Sequence, residues 1–142
     1  MVSPGRIALK RVYESPSDSD GLRILVDRLW PRGLSKEAAG VDLWLRALAP
    51  SNELRKWFHA HPGRWKDFRR RYLTELRAPE TQAEDALEQL YDAMDREDRV
   101  TLLFASQNTH QNNATVLKEF LTGMRKPRKG TRNSATTPKG RD

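Results

Sequence analysis

Ile24-Leu25-Val26 is apolar on three successive residues, and Val100 to Phe104 forms a second short apolar run far along the chain. A strand apolar on every residue needs cover on both faces, as in sheets packed between helices. The interval between the two runs carries helical patterns, and so long a crossover allows the strands to run parallel. These features confine the chain to an α/β fold in one domain, with a small, at least partly parallel sheet flanked by helices. Both runs end in polar clusters: Asp27, Arg28, Trp30 and Arg32 after the first, Ser106 to Asn113 after the second. In open α/β sheets, ligands bind beyond the carboxyl ends of the strands, so the two clusters locate a candidate site.

Around these runs, Ile7 to Tyr13 alternates roughly enough to be a further strand. Glu14 to Gly21 is turn chemistry, of a length that fits a hairpin or a tight irregular return. Leu22 to Asp27 is the second strand, stopped by Pro31 and Gly33. Ser35 is placed to cap a short helix. Asp42 to Leu48 reads as a short helical piece with Trp44, Leu45 and Leu48 on one side. Ser51 caps the next helix, which carries Leu54, Trp57 and Phe58 and is interrupted by Pro62-Gly63. Trp65, Phe68, Tyr72, Leu73 and Leu76 then form one apolar stripe, ended by Pro79. Thr81 to Arg96 is amphipathic, with Ala83, Ala86, Leu87, Leu90 and Met94 inward. Val100 to Ala105 is the last strand. Asn112 to Met124 is the last helix, with Val116, Leu117, Phe120, Leu121 and Met124 inward.

The net charge of +7 is concentrated at one end, because seven of the 26 Lys/Arg and one of the 19 Asp/Glu lie between Arg125 and Asp142. Residues 1–124 are therefore nearly neutral and form the expected α/β domain. Residues 125–142, without apolar periodicity and rich in Pro, Gly, Ser and Thr, read as a disordered basic tail. Such a tail either solubilises the chain or makes weak, salt-dependent contacts with nucleic acid. Nothing in the sequence approaches a membrane span, and the first residues lack the apolar stretch of a signal peptide. A cytoplasmic protein without membrane contact is expected. The absence of cysteine excludes thiol nucleophiles, thiolate zinc sites and disulfides.

The first cluster admits two readings. Arg28 and Arg32 present planar forks suited to carboxylate or phosphate, or they form a structural ion-pair network with Asp27. Trp30 is either a core plug or a stacking platform. In Ser106 to Asn113, Thr109 or Asn112 serves as a helix cap, and the helix start with the side chains of Ser106, Asn108 and Asn112 could receive an anion. Two arginines beside Asp27 are expected to lower its pKa, making it a poor base near neutrality. His59 and His61, two apart at a helix break, do not share a helix face and are expected in a solvated loop rather than on a metal. Arg69-Arg70-Arg71 reads as a solvated face balanced by Glu75 and the acids of the following helix. No Walker loop, GxGxxG, HExxH or GxSxG is present, and no cofactor is expected.

The segments KRVYESPSDSDGLRILVDRLWPRG, ELRKWF with the following RW..FRRRYLTEL, and TLLFASQNTHQNNATVL resemble the YeaO-like proteins of the bacterial family called domain of unknown function 488. The resemblance covers Ala8 to Leu121, and its most specific run is DRLWPRG. It implies a small α/β protein with functional positions among Arg11, Asp27, Arg28, Trp30, Arg32, Ser106, Asn108 and Asn112. A longer branch of that family has a Glu where Ser106 stands and a Cys-His-Arg run at Asn112, Asn113 and Ala114. The resemblance therefore implies that chemistry needing those groups is missing here. The expected function is binding of a small anionic or phosphate-bearing ligand. The alternative is a nucleic-acid-binding or regulatory protein using the tail and the Arg69–Arg71 face.

Overall fold

In the computed structural model, which describes residues 6–124, four strands form one parallel sheet in the order β1-β4-β2-β3. They are β1 (Ile7–Arg11), β2 (Leu22–Leu25), β3 (Leu43–Trp44) and β4 (Val100–Phe104). The expected α/β class and single domain are both present. The expected tail, Arg125 to Asp142, lies outside the described residues.

The central position of β4 follows from its composition: every residue is buried, with Thr101 satisfied by a 2.6 Å bond from its hydroxyl to the Asp20 carbonyl. β1 pairs with one edge of β4 and β2 with the other, in the registers Leu9↔Leu102 and Ile24↔Leu102. The segment between β1 and β2 is thus no hairpin. It returns past β4 through a one-turn 3-10 helix at Asp18–Asp20, closed by a reciprocal capping box between Ser17 and Asp20.

Residues 42–48 depart from the expected helix. Asp42 N–H and Leu45 N–H donate to Arg23 and Leu25 carbonyls at 2.9 Å each, making Leu43–Trp44 a fourth strand, and only Arg46–Leu48 forms a 3-10 turn. The open edge of β2 offers backbone partners that outweigh a weak local helical pattern.

Helices α1 (Lys36–Ala39), α2 (Asn52–Ala60), α3 (Trp65–Arg77), α4 (Thr81–Arg96) and α5 (Asn113–Glu119) complete the described residues, with a π-helical turn at Phe120–Met124. Ser35, Ser51 and Asn112 cap α1, α2 and α5 as their positions predict, each side-chain oxygen accepting an N–H of the first turn. The apolar stripes of α3, α4 and α5 meet Ile24, Val26, Leu102 and Phe104 in the main core. Leu25 and Leu103 face the other way, into a smaller cluster with Val12, Ala39, Trp30 and Trp44. Period-two alternation along β2 and β4 thus divides successive apolar residues between two covered faces. Among the described residues, no helix is long and apolar enough to cross a membrane.

Candidate functional site

Because β2 and β4 are neighbours and parallel, their polar sequels leave the sheet side by side. Val26 N–H donates to Leu103 O at 3.2 Å, extending the pairing beyond β2. Asp27 follows at once, and its Oδ2 accepts Ala105 N–H at 2.9 Å. Its Oδ1 accepts Asn113 Nδ2 at 3.0 Å. No ion pair joins it to Arg28 or Arg32 among the described residues. Burial pushes the Asp27 carboxyl above its ordinary value, and the bonds from Ala105 and Asn113 only partly oppose this. The lowered pKa expected from neighbouring arginines is therefore corrected: neither guanidinium pairs with Asp27 among the described residues, and desolvation dominates.

Arg28 donates through Nε and Nη2 to the Pro50 carbonyl, at 3.3 and 3.1 Å. Its Nη1 has no hydrogen-bond partner among the described residues. The exposed Arg32 side chain has none among them either, although its carbonyl accepts Tyr13 OH at 2.9 Å. Trp30 is a wall rather than a free platform: its Nε1 donates to Leu34 O at 2.7 Å, and its ring meets Trp44 edge-on at 5.5 Å. Arg11 donates to the carbonyls of Ser106 and Ala105, at 2.9 and 3.0 Å, and so braces the loop after β4 from outside.

That loop is held largely by its own side chains. Ser106 Oγ accepts Asn108 N–H at 3.1 Å, and Asn108 Oδ1 accepts the N–H groups of His110 and Gln111 at 3.0 and 2.8 Å. Asn112 Nδ2 donates to Asn108 O at 2.9 Å, while its Oδ1 takes Thr115 N–H at 2.9 Å. Ser106, Asn108 and Asn112 are thus engaged within the loop, and the start of α5 carries its own cap.

The two strand ends border an open cleft of about 820 Å³. Seven of the eight residues singled out from the sequence line it, with Arg11 outside. Gln111 and Asn113, part of the second polar cluster, also line it; sequence reasoning missed Tyr13, Arg55 and Phe58 as lining residues, and it left His59 in a solvated loop. Arg55 and His59 are four apart on α2 and so share a face, a spacing that could have revealed them. Arg55 Nη2 donates to Asn52 Oδ1 at 3.1 Å, whereas its Nε is shielded from solvent without an acceptor. His61 goes elsewhere, stacked on Trp57 at 4.9 Å between ring centroids.

On the Arg69–Arg71 face, acids beyond those expected take part. Arg69 is bound by Glu119, while Arg64 and Arg70 share Asp67. Arg71 lies 4.1 Å over the Trp57 ring. Glu75 instead binds Ser51 at the start of α2.

A family model described as "DUF488-N3i: Inactive DUF488-N3 subclade" matches residues 6–139. The chain is 43% identical over 118 residues to the Escherichia coli protein named "Uncharacterized protein YeaO", covering 83% of this chain and 98% of that one. It is 38% identical over 123 residues to "Uncharacterized protein Rv3073c" of Mycobacterium tuberculosis, covering 87% and 99%. No solved structure matches. Similarity of this extent confirms the resemblance carried by the DRLWPRG and SQNTHQNN segments, and the chain belongs to the YeaO-like proteins of the DUF488 family, in its inactive N3 subclade.

Proposed function

We propose that this protein binds a small anionic, phosphate-bearing metabolite in the cleft beyond β2 and β4. One observation carries the reading: Arg28, Arg32, Arg55 and His59 line the cleft against a single carboxylate, Asp27. Guanidinium groups form charge-assisted, often paired bonds with phosphate oxygens. Arg32 has its whole fork available, and Arg28 keeps Nη1. A shielded N–H without an acceptor costs about 1–3 kcal/mol, and an oxyanion drawing Arg55 toward it would supply that acceptor.

Binding is favoured over turnover. Both oxygens of Asp27 already accept bonds from the chain's own groups, and the family description marks the subclade as inactive. The family resemblance also implies that Ser106 and Asn112 to Ala114 stand where the longer branch has Glu and Cys-His-Arg.

The test is a backbone-amide NMR titration of the full chain with inorganic phosphate and ribose 5-phosphate. Saturable shifts at residues 27–33 and 105–108 are expected, weakened at least about tenfold by Arg32→Ala, as befits loss of a charged hydrogen bond. Shifts confined to the segment after Met124, lost at moderate salt, would replace this reading with contact through the tail.

A further inference from the structure

The two exposed large hydrophobic side chains among the described residues are Tyr13, 41% exposed, and Leu29, 62% exposed. Both line the arginine-rich cleft. Single exposed apolar residues are ordinary, but Tyr13 is also held in position. Its hydroxyl donates to Arg32 O at 2.9 Å, and the Arg11 guanidinium lies 5.0 Å from its ring centroid. An aromatic ring fixed in this way loses little freedom when a ligand stacks on it. Through the same hydrogen bond, the ring stands beside the residue whose guanidinium is unengaged.

Other features fit a ligand larger than a bare anion. The cleft volume falls within the roughly 300–1,000 Å³ usual for small-molecule sites. The side-chain amides of Gln107 and Gln111, both lining it, make no hydrogen bond among the described residues. Amides carry donors and acceptors together, as the edge of a nitrogen heterocycle does. A sugar phosphate alone would use the arginines and leave Tyr13 and Leu29 facing water.

Resting on the anion-binding reading above, we propose that the cleft takes a nucleoside monophosphate. The phosphate lies on Arg32 and Arg28, and the base stacks on Tyr13 within reach of Gln107 and Gln111. Tyr13, not Trp30, is then the stacking platform, since Trp30 is committed to Leu34 and Trp44.

The experiment titrates the full-length protein with inorganic phosphate, ribose 5-phosphate and the four common ribonucleoside monophosphates, reading amide shifts at the cleft. It is repeated with Tyr13→Ala and Tyr13→Phe. Both variants lose the bond to Arg32 O, and only the second keeps the ring. At least one nucleotide is expected to bind more tightly than ribose 5-phosphate. Tyr13→Ala should weaken that nucleotide roughly 5- to 150-fold, the usual range for a lost base–aromatic stack, while Tyr13→Phe stays close to the parent. If nucleotides bind no better than ribose 5-phosphate, or if the two variants behave alike, the nucleotide assignment fails and the anion cleft stands. If no ligand moves the cleft amides, both fail together.

Discussion

Asn113 Nδ2 donates to Asp27 Oδ1 at 3.0 Å and also to Val26 O at 3.0 Å, fastening the first residue of α5 to the end of β2. With Asp27 Oδ2 on Ala105 N–H, one carboxylate links β2, the segment after β4 and α5. The cleft is therefore anchored to the sheet at its Asp27 end.

Burial raises the Asp27 pKa, so the native state keeps this proton to higher pH than the unfolded chain, whose value is near 3.8. The native state then binds more protons in that window, and stability falls as pH rises from about 3.8 through the raised native value. Asp27→Asn carries no titrating proton. Its stability relative to the parent should rise with pH across the window and level off above it. Urea midpoints measured from pH 3 to 8 check this, and a flat or falling difference would refute the raised value.

Arg23 is 3% exposed and donates to Asp20 Oδ2 at 2.7 Å, Gly40 O at 3.0 Å and Ala39 O at 2.7 Å. Arg23→Met leaves Asp20 with Lys10 and strips donors from two carbonyls, so a loss of about 3–5 kcal/mol is expected. Burial pushes Asp20 up, but the bonds from Lys10, Arg23 and Ser17 outweigh it and hold its pKa below the ordinary value. The parent should therefore lose this contribution as pH falls below about 3.8 through the lowered native value. Chemical denaturation of Arg23→Met at neutral pH decides the point, and a loss under about 1 kcal/mol would contradict it.

Gly21 and Gly33 both have positive φ, 64° and 76°. A Cβ on Gly21 would stand 2.1 Å from Arg99 O, whereas one on Gly33 meets nothing within 4 Å. Gly33→Ala should cost only the left-handed penalty of about 1–2 kcal/mol. Gly21→Ala should be clearly worse, because Leu22 N–H already binds that carbonyl at 3.1 Å and the backbone has to move. Thermal melts of the two variants side by side test the ordering.

Ser51 is both the cap of α2 and its link to α3. Its Oγ accepts Leu54 N–H at 3.1 Å and donates to Glu75 Oε2 at 2.6 Å, while its N–H donates to Glu75 Oε1 at 2.9 Å. Ser51→Ala should destabilise by about 1–2 kcal/mol. Combined with Glu75→Gln, it should show a coupling of about 0.5 kcal/mol or more. Strict additivity would mean that the two residues act independently.

Local chemistry made much of this legible. Ser35, Ser51 and Asn112 are caps because short polar side chains compete well for the N–H groups of a first turn, wherever the helix lies. Phe68, Tyr72, Leu73 and Leu76 are buried because a 3.6-residue period can bury only one stripe. Residues 42–48 are not legible as a strand because a two-residue strand carries almost no period, and the decisive partners, Arg23 O and Leu25 O, belong to another segment.

The sequence by itself determined three of the four strands and the main helices, where each polar cluster begins and which family the chain joins. It did so because periodicity, capping and motif spacing are properties of neighbours along the chain. The tertiary structure alone decided that β4 lies between β1 and β2, that Asp27 faces Ala105 and Asn113 rather than an arginine, and that Arg55, His59 and Tyr13 share a cleft with Arg32. Those outcomes depend on desolvation and on hydrogen bonds such as those to Asp27 across 78 and 86 residues of separation, which exist only once the sheet has brought the strand ends together.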